Sequence, residues 1–303
     1  MKPSGIFVGC WGREPLGEAK ARAGDYAASA TRATNHFCKK NQGQPFVKLH
    51  IFVISLPGEL ARRESVTRQL DSMNLPWSFF DAISYRDTDV RALWGEAQLA
   101  AGEARYGRVF TLGEIACAQS HFELYRQLAN SEFDVGLILE DDFLAEPNFP
   151  EFVTALQCGE ADWFDLLFLG YSKLTPAAQA TIYRFMPILS ERSLASVRVG
   201  KAWREWTYGN VAYAVTRKAA AKIVSEPRLY TLADDWAALK VHYQLQVRHA
   251  RPLLVRENFE VFPSALENDR AHLLKPYYQW LDFARYLRGY MGLWIMKLRA
   301  WRE

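Results

Sequence analysis

Eight residues, Val135 to Asp142, constrain this chain more than any other stretch. An unbroken apolar run, VGLIL, ends abruptly in Glu140, Asp141 and Asp142. Such a run fits a strand buried on both faces, as parallel strands of α/β proteins are. Carboxylates at its end fall at the carboxyl edge of the sheet, where open α/β folds bind ligands. Three clustered acids repel one another, and a bound cation offsets that repulsion. Mg²⁺ and Mn²⁺ suit oxygen ligands and keep positions open for substrate phosphates. The stretch therefore points to metal-assisted chemistry on a phosphorylated donor. A second reading stands beside it: an acidic N-cap and first helical turn, because Asp and Glu favour helix starts.

Bulk properties narrow the field. The chain has 303 residues, half of them hydrophobic, enough for one large domain or two small ones. A net charge of +3 argues against a general nucleic-acid binder. Cys10, Cys38, Cys117 and Cys158 are scattered with no CxxC pair, so they predict neither a zinc ribbon nor a disulfide framework, and a reduced, cytoplasmic setting is the simplest expectation. Aromatic residues make up 14%, which suits a protein of carbohydrates or membrane surfaces without proving either. No stretch has the uninterrupted apolar length of a spanning helix, and the apolar Ile6 to Trp11 is too short for a signal peptide.

Residues 1–47, rich in Ala, Gly, Lys and Arg, read as a loosely held extension. Order is expected from His50. HIFVISL forms a buried first strand, Pro57-Gly58 breaks it, and a helix follows from Glu59 to Met73 with Leu60, Val66, Leu70 and Met73 on one side. WSFFDAI gives a second strand. Thr111 and Glu114 have capping-box spacing and open a helix over 113–128. Glu114, Cys117 and His121 form a second stripe on it, with two roles open to His121: a hydrogen-bonded structural side chain, or a ligand or catalytic group. Further helix and strand are expected at 149–157 and 165–170. Residues 171–205 read as an irregular basic insertion over the active site. TYGNVAYAV is a strand, Thr216 caps the next helix, Pro227 ends it, Asp234 and Asp235 start another, and RPLLV (251–255) closes the domain as a strand.

This order resembles glycosyltransferase family 25, the bacterial lipopolysaccharide and lipooligosaccharide glycosyltransferases. The pieces are ISL with an Arg pair after it, FFDAI, TLGEIACAQSH, LILEDDF, TYGNVAYAV and DDW, spanning residues 50–255. The resemblance implies an α/β fold of GT-A type, a Rossmann-like nucleotide-sugar-binding sheet flanked by helices over residues 48–262. It also implies a UDP-sugar donor, most often UDP-galactose, and transfer to a surface glycan. Many members make β-linked products, hence inversion. The family's D-x-D metal motif falls on Glu140-Asp141-Asp142. Asp142 is then the direct ligand of Mn²⁺ or Mg²⁺, Glu140 ligates through water, and Asp141 contacts the ribose or donor sugar. The ion would stabilise charge on the departing UDP.

Other candidates have two readings each. Arg62 and Arg63 either meet the uracil or diphosphate, or are solvated helix-face cations. Asp81 borders the uridine or is a simple turn acid. Tyr208 and Asn210 are placed in the donor-sugar pocket. Inversion needs a base for the acceptor hydroxyl. Asp234 and Asp235 are the candidates, Asp235 the favoured one, against a helix N-terminal acid pair. Trp236 stacks on a sugar or belongs to the core.

Over residues 263–303 the chain turns aromatic and basic. Phe283, Leu287, Tyr290, Met291, Trp294, Leu298 and Trp301 share one helical face, and Arg285, Arg288, Arg299 and Arg302 another. This is the pattern of a helix lying in a membrane interface, and a lipid-linked oligosaccharide acceptor at the inner leaflet would suit it. Docking on the protein's own core or at a dimer interface is the other possibility. Two rival functions remain at this level. A sugar nucleotidyltransferase would call for a glycine-rich basic loop after the first strand, which ISLPGELARR lacks. A degenerate, glycan-binding transferase would not need the intact acids at 140–142 and 234–235.

Overall fold

The computed structural model describes residues 46–172, 174–203, 209, 211–258, 261–262 and 282–301. Most of the 1–47 extension lies outside them, as do Tyr208, Asn210 and Arg302. The chain divides into two compact units, Met1–Lys40 and Asn41–Glu303, and all described elements belong to the second.

The elements run β1 (Leu49–Ser55), α1 (Leu60–Met73), β2 (Trp77–Asp81), α2 (Val90–Trp94), α3 (Glu96–Tyr106), α4 (Leu112–Ala129), β3 (Val135–Glu140), β4 (Phe143–Ala145) and α5 (Phe149–Gln157). Then come β5 (Leu166–Gly170), α6 (Pro176–Phe185), β6 (Ile188–Leu194), β7 (Val197–Ala202), β8 (Ala212–Thr216), α7 (Arg217–Ser225), α8 (Trp236–His242), β9 (Val247–Arg251), β10 (Val255–Glu257) and α9 (Asp282–Ala300). The described strands form one sheet of order β2-β1-β3-β8-β5-β9-β7-β6, with β10 joining β4 to β5.

Side-chain alternation along the strands builds a core on each face. Ile51, Val53, Leu137 and Leu139 pack with Val66 and Leu70 of α1 and with Phe149, Phe152 and Leu156 of α5. Their neighbours Phe52 and Ile138 point the other way, to Leu124 and Leu128 of α4, Ile223 of α7 and Trp236 of α8. Helices thus cover both faces, which is why the strands read as continuous apolar runs. The α/β class and the β-α-β opening are present as expected, with β2 parallel to β1.

Several expectations need correction. The sheet is mixed: β3 runs parallel to β1 but antiparallel to β8. Leu60 is exposed, so α1 buries only Val66 and Leu70 fully. Residues 171–205 are not irregular. They hold α6 and the hairpin β6–β7, which extends the sheet beyond β9. Two of its basic residues are occupied there: Arg192 stacks on Trp163, and Lys201 pairs with Glu191. The closing strand is displaced from 251–255, because Pro252 offers no amide hydrogen. β9 therefore ends at Arg251 and β10 starts at Val255.

Candidate functional site at the carboxyl edge of the sheet

β3 delivers its last residue, Glu140, to the sheet's carboxyl edge. The chain then turns at Asp141 and Asp142 and returns as β4. The acids therefore occupy a strand-to-strand turn, and the helix-cap reading does not apply. The turn is clamped from the far end of the fold. β10 pairs antiparallel with β4, setting Glu257 opposite Phe143, and the Asn258 amide donates to the Asp142 carbonyl at 2.7 Å.

Asp142 is 5% exposed. Its Oδ2 accepts from Arg62 Nη1 at 3.2 Å, and the same nitrogen donates to Asp141 Oδ1 at 2.7 Å. Its Oδ1 is buried with no hydrogen-bond partner among the described residues. Burial first, and then the charge of Glu257, raise the Asp142 carboxyl to about 7, with Arg62 pulling the other way. Glu140 is also raised well above the ordinary range, by burial first and then by Asp142, Glu257, Asp141 and Asp234. The fold thus concentrates carboxylates and sets the Arg62 guanidinium against them.

An orphaned carboxylate oxygen in such a cluster is chemically suited to a hard divalent cation. Among the described residues no three His, Cys, Asp or Glu side chains form a ready metal cage.

The two arginines separate. Arg62 is spent on the acids of the turn and lies against the Phe262 ring at 5.4 Å. Arg63 ties the ends of β1 and β2 together. It donates to the Ser55 carbonyl at 2.9 Å, pairs with Asp81 and stacks on Phe79 at 4.5 Å. Neither is a freely solvated cation, and Asp81 is the acid end of that tie.

The Asp234-Asp235 pair separates as well. Asp235 is the N-cap of α8, accepting from the Ala238 amide at 3.1 Å. It also accepts from Tyr106 Oη at 2.6 Å and Arg105 Nε at 3.3 Å. Burial and then Asp235 raise the Tyr106 phenol, which keeps it a donor. Asp234 faces the other way. Its charge is felt at Glu140, and its Oδ2 lies 3.8 Å from where a Cβ on Gly209 would stand. Gly209 itself has φ +92° and would bring a Cβ within 2.9 Å of Ser172 Cβ, so only glycine fits between β5 and Asp234. This brings the segment between the candidates Tyr208 and Asn210 to the acid cluster, although those two residues lie outside the described set.

Trp236 is core: it is fully buried against Phe168 and Tyr213, with ring centroids at 5.1 and 4.8 Å. His121 takes its structural role. Nδ1 is 2.7 Å from Tyr213 Oη, and burial lowers the ring to about 4. Glu114 completes the predicted capping box with Thr111 and pairs with Arg108 at 2.6 Å. Glu257 was missed altogether. Nothing in RENFE marks it, because only the β4–β10 ladder brings it beside Asp142.

Residues 48–237 match the family model described as glycosyltransferase family 25 (LPS biosynthesis protein). Among relatives, the chain is 25% identical over 193 residues to procollagen galactosyltransferase 1-A of Xenopus laevis, covering 61% of this chain and 30% of that one. It is 26% identical over 226 residues to a probable inactive glycosyltransferase 25 family member 3 of Bos taurus, covering 67% and 36%. The chain thus spans about a third of the length of these curated relatives. A glucosyl-3-phosphoglycerate synthase from Mycobacterium tuberculosis, solved with Mn²⁺ and UDP, aligns over 72% of this chain and 66% of that one. It does so at 19% identity and a TM-score of 0.29, too remote to bear on the site.

Proposed function

The chain belongs to glycosyltransferase family 25, and from that premise we propose that it transfers a hexose, galactose from UDP-galactose, to a hydroxyl of a lipid-linked surface glycan of the lipopolysaccharide or lipooligosaccharide type, with inversion. One observation carries the donor half of this reading: the buried, unpartnered Oδ1 of Asp142 at the sheet edge. Asp142 would hold Mn²⁺ or Mg²⁺ directly, Glu140 would do so through water, and Glu257 adds negative charge beside them. When bound, the ion neutralises charge developing on the UDP diphosphate.

The remaining work falls to side chains. Arg62 fixes the orientation of Asp142 by holding Oδ2, which leaves Oδ1 facing the site. Asp141, anchored through Oδ1, keeps Oδ2 for a ribose or sugar hydroxyl. Asp234 is the base in this reading, since Asp235 is committed to its helix cap and to Tyr106. The acceptor oxygen bonds to the anomeric carbon as its proton passes to Asp234. The carbon–oxygen bond to UDP breaks on the opposite face, with its electron pair leaving on the β-phosphate.

Calorimetry tests the proposal. UDP and UDP-galactose should bind in a Mn²⁺-dependent way, and Asp142→Ala should abolish that dependence while folding normally. Equal affinity with and without Mn²⁺ in the parent chain would overturn the reading. Metal-dependent binding without any turnover of UDP-galactose would instead group the chain with its relative described as inactive.

A further inference from the structure

The C-terminal helix α9 has two opposite faces, and one of them packs on described elements of the fold. It docks on α6 and the β6 edge through its glycines. A Cβ on Gly289 would stand 2.3 Å from the Phe185 carbonyl oxygen, and one on Gly292 would stand 2.1 Å from Trp203 Cγ. The small residues therefore let the helix lie flush on its support, with Leu293 and Met296 partly buried beside them. At about 3.6 residues per turn the opposite face carries Phe283, Leu287, Met291, Trp294, Leu298 and Trp301. All six are exposed, Trp294 by 65% and Trp301 by 86%.

We propose that this face is a docking surface for an anionic lipid bilayer, into which α9 lies parallel to the membrane plane. Three observations favour lipid over a protein occupant. Residues 283–301 contain four cations and no acid, which complements anionic headgroups. Arg288 and Arg299 are exposed along one margin of the apolar face and Lys297 along the other, where side chains reach headgroups while the rings enter the acyl boundary. A second copy of the chain meeting this face would bring two such basic rims together, which like-charge repulsion opposes. Among the described residues no helix is long and apolar enough to cross a membrane, so the contact is interfacial. The inference deepens the lipid-linked acceptor reading above, since it places the enzyme where such an acceptor resides.

The test uses the full chain and sedimentation with vesicles of phosphatidylcholine alone or with about one third phosphatidylglycerol. Binding should require phosphatidylglycerol and weaken with salt. The double variant Trp294→Glu/Leu298→Glu, at exposed positions that leave the docked glycine face intact, should lose about 100-fold in vesicle affinity. Arg288→Glu/Arg299→Glu should lose binding while its apolar face stays whole. Two outcomes overturn the proposal: vesicle binding unchanged in Trp294→Glu/Leu298→Glu, or no vesicle binding together with a dimer that this variant dissociates. Mn²⁺-dependent UDP-galactose binding in lipid-free buffer should be the same in the variants and the parent, so failure of the membrane proposal and failure of the transferase reading are separately visible.

Discussion

Replacing Arg62 by Gln should destabilise the metal-free protein in a way that depends on pH. Arg62 is the counter-ion of Asp141 and Asp142, with side chains 15%, 12% and 7% exposed respectively, so solvent screens this pair little. Asp142 is raised to about 7 from an ordinary 3.8, so the folded state keeps a proton that the unfolded state has released. Stability contributed by that proton is present below about pH 4 and is lost as pH rises towards 7. Removing Arg62 takes away the main opposing pull and extends this loss above pH 7. At pH 6 Asp142 is largely protonated in both proteins, and the change costs about 1 kcal/mol, the worth of the lost hydrogen bonds. At pH 8.5 the variant must either hold the proton or bury an unpaired charge. At about 1.4 kcal/mol per unit above 7, the deficit grows to about 3 kcal/mol. In a chain of this size that lowers Tm by roughly 6 °C. Thermal unfolding in EDTA at pH 6 and pH 8.5 reads the difference, with Thr111→Ala as a control that loses a helix cap, about 1 kcal/mol, equally at both values. A deficit for Arg62→Gln that does not change with pH would refute the reasoning.

Two further outcomes follow from the geometry. Asp234→Asn should lower kcat by about 100- to 10,000-fold with little change in donor affinity, whereas Asp235→Asn should chiefly lower stability, by about 1–2 kcal/mol, through its weakened cap and Tyr106 contact; steady-state kinetics beside urea denaturation separates them, and the reverse pattern would exchange their roles. His50 and His121 are each lowered to about 4 by burial, so both are neutral in the folded state while the unfolded chain takes up protons below about 6.5. The share of stability owed to these two rings should therefore fall as pH drops from 6.5 towards 4, by up to about 3 kcal/mol for each, against the opposite trend of Asp142, and His121→Gln should remove one ring's share in urea titrations compared with the parent.

Local signals were legible in the sequence and distant pairings were not. Thr111 and Glu114 announce their helix because a capping box closes within four residues. The runs ending in Ser55 and Glu140 announce strands because helices cover both their faces. Strand β6 is not legible because ILSERSL is largely exposed and polar, so burial imprints no apolar alternation on it. The Tyr106 partner of Asp235 is 129 residues away, so that contact could not be read beside it. The pairing of Arg62 with Asp141, 79 residues away, left no local trace in the sequence. In each case the deciding contact is tertiary, and residue type alone left both roles open.

The ladder between β4 and β10 has one further consequence. It is three rungs long, with Val255, Arg256 and Glu257 against Ala145, Leu144 and Phe143. Neighbouring residues on a strand project to opposite sides, so a single inserted residue between Pro252 and Val255 would slide the tail by one step. Arg256 would then arrive where Glu257 now stands, and the local charge would change by two. The charge beside Asp142 therefore hangs on the length of a loop that contributes no polar side chain to it.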